Sequence, residues 1–134
     1  MLRYLIAYCA TALTFMACDA CWLTFAGPMI YKPVLGQILA DKVDLGAAIA
    51  FYVIYIAGLV VFAVRPALAA QDWRTAAVSG LLLGLFAYAT YDFTNQATLR
   101  VWSLRITLAD LAWGMALSAL ASTVGFLAAS RVAR

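Results

Sequence analysis

Four apolar stretches, at about 4–26, 47–64, 75–99 and 106–129, occupy most of this chain and decide its solvent. A helix that crosses the hydrocarbon core of a bilayer takes about 20 residues, and each stretch is close to or above that length. In hydrocarbon a backbone has to satisfy its own hydrogen bonds, which a single segment achieves as an α-helix. A soluble protein can also bury an apolar helix, but it needs a polar shell around it. Here 67% of the 134 residues are hydrophobic and 11% are charged, against roughly 25% charged in a soluble domain. The expectation is therefore an all-α, polytopic integral membrane four-helix bundle, formed by one membrane domain over 1–134.

The breaks between stretches carry the turn chemistry. Gly27-Pro28 is expected to stop the first helix, because Pro lacks the N–H that the ladder needs and Gly loosens the turn. Residues 29–46 then read as the longest loop, with Lys32, Asp41, Lys42 and Asp44 and a short interfacial helix over 34–40. Arg65-Pro66 is expected to end the second helix, and Gln71, Asp72 and Arg74 mark a polar turn. The next turn spans 100–105, and Ser130-Arg131-Val132-Ala133-Arg134 is a basic stop. The N-terminal run is too long for the apolar core of a signal peptide and reads as a retained first helix.

Charge and residue types exclude several functions. The net charge of +3 comes from seven Arg and two Lys against six Asp, scattered along the chain. A nucleic-acid footprint would need these cations clustered on one face, so no nucleic-acid partner is expected. The chain has no His, which removes the usual neutral-pH acid–base group and the commonest metal ligand. Cys9, Cys18 and Cys21 all lie in the first stretch; Cys18 and Cys21 form a C-x-x-C pair, yet one turn apart within an apolar helix they read as small packing residues. Basic residues number five on the N-terminal side (Arg3, Arg65, Arg74, Arg131, Arg134) and four on the other (Lys32, Lys42, Arg100, Arg105). By the positive-inside rule both termini are expected in the cytoplasm.

Three aspartates lie inside the spans. An ionisable side chain near the centre of a spanning helix costs about 2.5 to 3.5 kcal/mol on insertion scales, so it usually faces the bundle or a water-filled cavity. Asp19 stands seven residues before the expected end of the first helix, Asp92 about seven before the end of the third, and Asp110 a few after the start of the fourth. Since alternate helices run in opposite directions, all three fall within roughly 10 Å of one membrane face at 1.5 Å per residue. On the third helix Gly80, Gly84, Tyr88, Asp92 and Asn95 form one stripe, whose G-x-x-x-G permits close helix approach. Trp22 shares a face with Asp19, and Trp113 with Asp110; Tyr91, Thr94 and Thr98 add hydroxyls, and Arg100 or Arg105 could pair with a carboxylate. Asp19, Asp92, Asn95, Asp110 and Tyr91 are thus the candidate catalytic groups, with Trp22, Tyr88, Thr94, Trp113, Arg100 and Arg105 as candidate binding groups. No cofactor is evident, although Asp19, Asp92 and Asp110 could hold a divalent cation. Plainer readings stand beside these: an interfacial aromatic belt for the tryptophans, a helix cap for Asp110, and an interhelical polar lock in which Asn95 and tyrosines satisfy Asp92.

The segments Asp19-Ala20-Cys21-Trp22-Leu23, Phe51-Tyr52-x-x-Tyr55-x-x-Gly58, Tyr88-Ala89-Thr90-Tyr91-Asp92-Phe93-Thr94-Asn95-x-Ala97-Thr98 and Asp110-x-x-Trp113-Gly114 resemble, in order and spacing, the small bacterial membrane proteins grouped as domain of unknown function 2177. The resemblance covers nearly the whole chain. It implies four helices in the bacterial inner membrane and brings no established activity. Such proteins are often encoded near fatty-acid-modifying methyltransferase-like genes, which points toward membrane lipids as partners. Three functions then compete: a lipid-associated enzyme or accessory factor, a small proton-coupled transporter acting as a homo-oligomer, and a structural subunit assembling with another membrane protein.

Overall fold

Two sequence positions that should break helices are instead accommodated within them. The structure, a computed structural model, describes residues 1–132, so the end of the basic stop at Arg134 lies outside the described residues. The described chain forms four spanning helices, α1 (Leu2–Leu35), α2 (Leu45–Ala70), α3 (Trp73–Thr98) and α4 (Leu104–Val132). The expected stop at Gly27-Pro28 does not occur, because α1 widens into a π turn over Gly27–Tyr31 and continues as Lys32–Leu35. Lys32 N–H closes that turn by reaching back to the Gly27 carbonyl, and Pro33 follows immediately. The expected stop at Arg65-Pro66 fails in the same way. A π turn over Val60–Val64 is closed by Arg65 N–H on the Val60 carbonyl, and Pro66 follows. A proline ring collides with the carbonyl four residues earlier in a regular α-helix; the wider turn moves that carbonyl aside.

The connections are correspondingly short. The interfacial helix expected over 34–40 is replaced by the last turn of α1 and a loop over 36–44. Asp44 caps α2, its side chain accepting from Ala47 N–H at 3.1 Å. Gln71 takes the left-handed conformation (φ 54°) that ends α2, and Asp72 caps α3 through Arg74 N–H. Ser103, and not Asp110, caps α4, accepting from Ile106 N–H at 3.3 Å.

Helix α4 is the hub. It packs on both α1 and α3, and its buried stripe includes Asp110, Gly114, Ser118, Ala121, Ser122, Gly125 and Ala129. Small residues let the backbones meet. A Cβ added to Gly80 would stand 2.5 Å from the Ser118 carbonyl oxygen, and one on Gly84 would strike the backbone of Gly114. The G-x-x-x-G of α3 is therefore the seam with α4, as interhelical packing in a membrane favours.

The interior is layered along the bundle axis. Ala7, Val60, Val64, Ala67, Ala76, Phe126 and Ala129 form an apolar layer at the N-terminal side. Phe15, Ile56, Leu59, Leu117 and Ala121 form a middle layer, with Cys18 packed against it. Cys21 faces outward, as does Cys9, so of the C-x-x-C pair read as packing residues Cys18 alone packs inside. Beyond the middle layer the buried groups become polar and aromatic, where Asp19, Asp92 and Asp110 lie.

Candidate functional site

Asp19 and Asp110 are each tied into aromatic donors from other parts of the chain. Asp19 on α1 accepts from the Tyr52 hydroxyl of α2 at 2.7 Å and from Trp113 Nε1 of α4 at 3.3 Å, which joins three helices at one carboxylate. Asp110 accepts from the Tyr31 hydroxyl, and that hydroxyl in turn accepts from Trp22 Nε1 at 2.9 Å. The indoles of Trp22 and Trp113 stack at 4.6 Å between centroids and 7° between planes, linking the two systems. Trp22 and Trp113 thus pair with each other and with the aspartate partners, half-buried at one end of the bundle.

Asp92 is different. It is 0% exposed, and apart from the neighbouring Asp110 carboxyl neither of its oxygens has a hydrogen-bond partner. The Asp92 and Asp110 carboxyls interact directly, and a proton held between them supplies a hydrogen bond. A buried polar group without a partner is costly, and that bond relieves Asp92 of the cost.

Two cavities meet beside Asp110. One, of about 430 Å³, is lined by Asp19, Asp110, Trp22, Trp113, Tyr31 and Lys32 among others. The other, of about 420 Å³, is lined by Phe51, Tyr55, Ala87, Tyr88, Tyr91 and Asp110, and its walls are almost entirely apolar. Tyr88, Tyr91 and Asp110 belong to both. Tyr88 lies against Gly114, where any side chain would collide with its ring, so the absence of a Cβ on α4 creates room for it.

A family described as a predicted membrane protein, domain of unknown function 2177, matches residues 4–127. This chain belongs to that family. No curated protein and no solved structure matches the chain. In this member of domain of unknown function 2177, the segments on which the resemblance rests supply Asp19, Trp22, Tyr52, Tyr55, Tyr88, Tyr91, Asp110 and Trp113, all on the two cavities or on Asp19.

The other residues singled out in the sequence are placed as follows. Tyr91 is 60% exposed, with its ring edge-on to Trp102 at 5.9 Å, and it lines both cavities from their outer side. Asn95 is half-buried one turn beyond Asp92 but does not bond to it, so the expected polar lock on Asp92 is not made. Thr94 and Thr98 turn outward and donate to the carbonyls of Thr90 and Thr94, four residues back. Such back-bonding satisfies a hydroxyl in lipid and uses up its one donor. Arg100 and Arg105 are exposed, and neither supplies a hydrogen bond to Asp19, Asp92 or Asp110. Among the described residues no group of three acidic or thiol side chains is arranged to hold a metal ion. The Asp19, Asp92 and Asp110 carboxyls are instead divided between the Tyr52–Trp113 tie and the Asp92–Asp110 pair.

Tyr31, Lys32, Tyr52, Tyr55 and Ser118 take part although residue-by-residue reading did not select them. Tyr55 and Ser118 share a hydroxyl–hydroxyl bond at 2.9 Å below the cavities. Tyr52 and Tyr55 did have a signal, their place in the family pattern. Tyr31 and Lys32 had none, because they follow the Gly27-Pro28 that should have ended α1.

Proposed function

We propose that this multi-pass membrane protein binds a membrane amphiphile from one leaflet and serves as a lipid-associated enzyme or accessory factor. The observation that carries this reading is the junction of two cavities of about 430 and 420 Å³ at Asp110, one charged and aromatic, the other apolar. An amphiphile has the same two parts in the same order. Its chain suits the slot between Phe51, Tyr55 and Ala87, while its headgroup suits the chamber of Asp19, Asp110 and Lys32. Such a division, apolar walls with a few placed polar groups, is typical of small-molecule sites. Asp110 stands where a headgroup proton could be given or taken, with Tyr31 as its hydrogen-bonding partner.

In this reading the aspartates divide the work. Asp19, satisfied by Tyr52 and Trp113, ties three helices together at the chamber wall, and Asp110 faces the ligand from both cavities. The membrane is the bacterial inner membrane, with both termini cytoplasmic. A small transporter needs a carboxyl that both sides can reach. Asp92 and Asp110 lie instead about one and a half turns from the end of α3 and the start of α4, which disfavours that role.

Native mass spectrometry of the purified protein tests the reading. Wild type should retain one phospholipid or other long-chain amphiphile through detergent extraction, and Tyr88→Trp, which fills both cavities, should lose it. Equal retention by the two proteins would refute the site.

A further inference from the structure

Resting on the amphiphile reading, we infer that the ligand is an intact bilayer lipid that enters sideways between α2 and α3. The far part of its chain stays in the bilayer, so the site grips the headgroup and the adjacent carbons alone. The first observation is a divergence of helices. Over 60–70 the backbone of α2 runs against α3, whereas over Leu45–Leu59 it leans on α1 and parts from α3. The apolar slot fills the mouth of this V. Phe51 and Tyr55 line it from α2, Ala87, Tyr88 and Tyr91 from α3, and Asp110 from α4. Phe51 and Tyr91, one on each side of the opening, are exposed where the bilayer lies.

The second observation is the floor of the slot. The Tyr55 ring meets Tyr88 edge-on at 6.4 Å between centroids, and its hydroxyl bonds Ser118 at 2.9 Å. Side chains thus bridge the helices close to where their backbones begin to part. From that floor to the rim, Tyr55 to Phe51 or Ala87 to Tyr91, is one helical turn, roughly 6 Å along the axis. A lipid chain spans one leaflet, half of a hydrocarbon core about 30 Å thick. It does not fit end to end, and the open side between α2 and α3 is where its remainder leaves. The third observation is continuity: Tyr88, Tyr91 and Asp110 also line the charged chamber, so headgroup and first carbons are held together. A closed pocket discriminates one methylene by about tenfold or more, because every carbon meets a wall. Carbons that stay in the bilayer meet none, so chain length should go unread.

Native mass spectrometry with defined lipids, and a tether across the opening, test this. Wild type is extracted from bilayers holding equal amounts of phospholipids that share a headgroup and differ in chain length. Retention, relative to the bilayer composition, should vary by no more than about twofold along the series. In a Cys9→Ala, Cys18→Ala, Cys21→Ala background, Phe51→Cys and Tyr91→Cys are then bridged by a bifunctional maleimide after loading. The bridged protein should exchange its lipid for isotopically labelled lipid about tenfold more slowly than the same protein unbridged. A length preference of about tenfold reveals a closed chain pocket and overturns the inference while leaving an amphiphile site. Exchange that bridging leaves unchanged reveals another route and also overturns it. If the cysteine variant retains no lipid even unbridged, the length series on wild type decides. If wild type retains no lipid of any length, the amphiphile reading fails as well.

Discussion

Replacing Gly80 by Ala tests the claim that α3 and α4 are held together by backbone proximity. A Cβ at this position would lie 2.5 Å from the Ser118 carbonyl oxygen and 3.0 Å from its carbon. Both atoms belong to the backbone of α4, so no rotamer change relieves the contact, and the helices have to separate by roughly 1 Å to reach ordinary packing distance. A gap of 0.5 to 1 Å forfeits about a quarter to a half of each contact's dispersion energy along the affected seam. Overpacking of this kind typically costs about 1 to 3 kcal/mol. Gly58→Ala is the internal control. It is also helical and within a span, but its Cβ would meet just Leu83 Cδ2, at 4.0 Å. Unfolding in mixed micelles with increasing dodecyl sulfate, followed by circular dichroism, should place Gly80→Ala well below wild type and Gly58→Ala level with it. Equal stability of the two variants would show that the α3–α4 seam is not limited by backbone contact, and the reasoning about small residues would fail.

Other substitutions separate satisfied from unsatisfied polar groups. Ser118→Ala strands the Tyr55 hydroxyl and should destabilise by about 1 to 3 kcal/mol; Ser122→Ala removes a buried hydroxyl that has no partner and should be neutral or stabilising in the same micelle assay. Tyr31→Phe removes the bond to Asp110 and the acceptor for Trp22. It should shift the Trp22 fluorescence spectrum and weaken amphiphile retention, while leaving the Asp19 tie intact. Thr94→Ala and Thr98→Ala should stay within about 0.5 kcal/mol of wild type in stability, because these hydroxyls bond their own helix and face outward. Asp44→Ala should cost about 0.5 to 2 kcal/mol through loss of the α2 cap, without changing lipid retention.

Much of the bundle was legible because lipid imposes a simple rule on apolar segments. The four stretches and the gathering of Asp19 and Asp110 near one end follow from helix length and alternating direction alone. Gly80 and Gly84 were legible as a packing seam because a four-residue spacing admits a facing backbone. Side-chain direction was less legible. Asn95 shares a stripe with Asp92 yet makes no bond to it, and Thr94 and Thr98 satisfy themselves on their own carbonyls. Helical spacing says which residues share a face; it does not say which hydroxyl finds a nearer acceptor. Either Arg100 or Arg105 could have paired with a carboxylate, because their turn lies on the same side as the aspartates, yet both remain exposed. Outside the bundle they keep their hydration, which a buried ion pair would have to offset.

The largest difference between expectation and structure, the continuation of α1, also explains how the site is completed. In a regular helix Tyr31, twelve residues after Asp19, would point about 120° away from it. A π turn absorbs one extra residue, which reduces that angle to roughly 20° and returns Tyr31 to the face of Asp19. From there its hydroxyl reaches Asp110 and Trp22, and the following Lys32 stands at the rim of the same cavity. The Gly27-Pro28 that looked like a terminator lies inside the turn that re-aims the helix, with Pro33 just beyond it. Val60–Val64 and Pro66 repeat the device in α2 beside the apolar layer of Val60, Val64 and Ala67, where no polar group is brought into place. The same backbone solution thus keeps a helix continuous in both cases. In α1 it also supplies Asp110 with its phenolic donor.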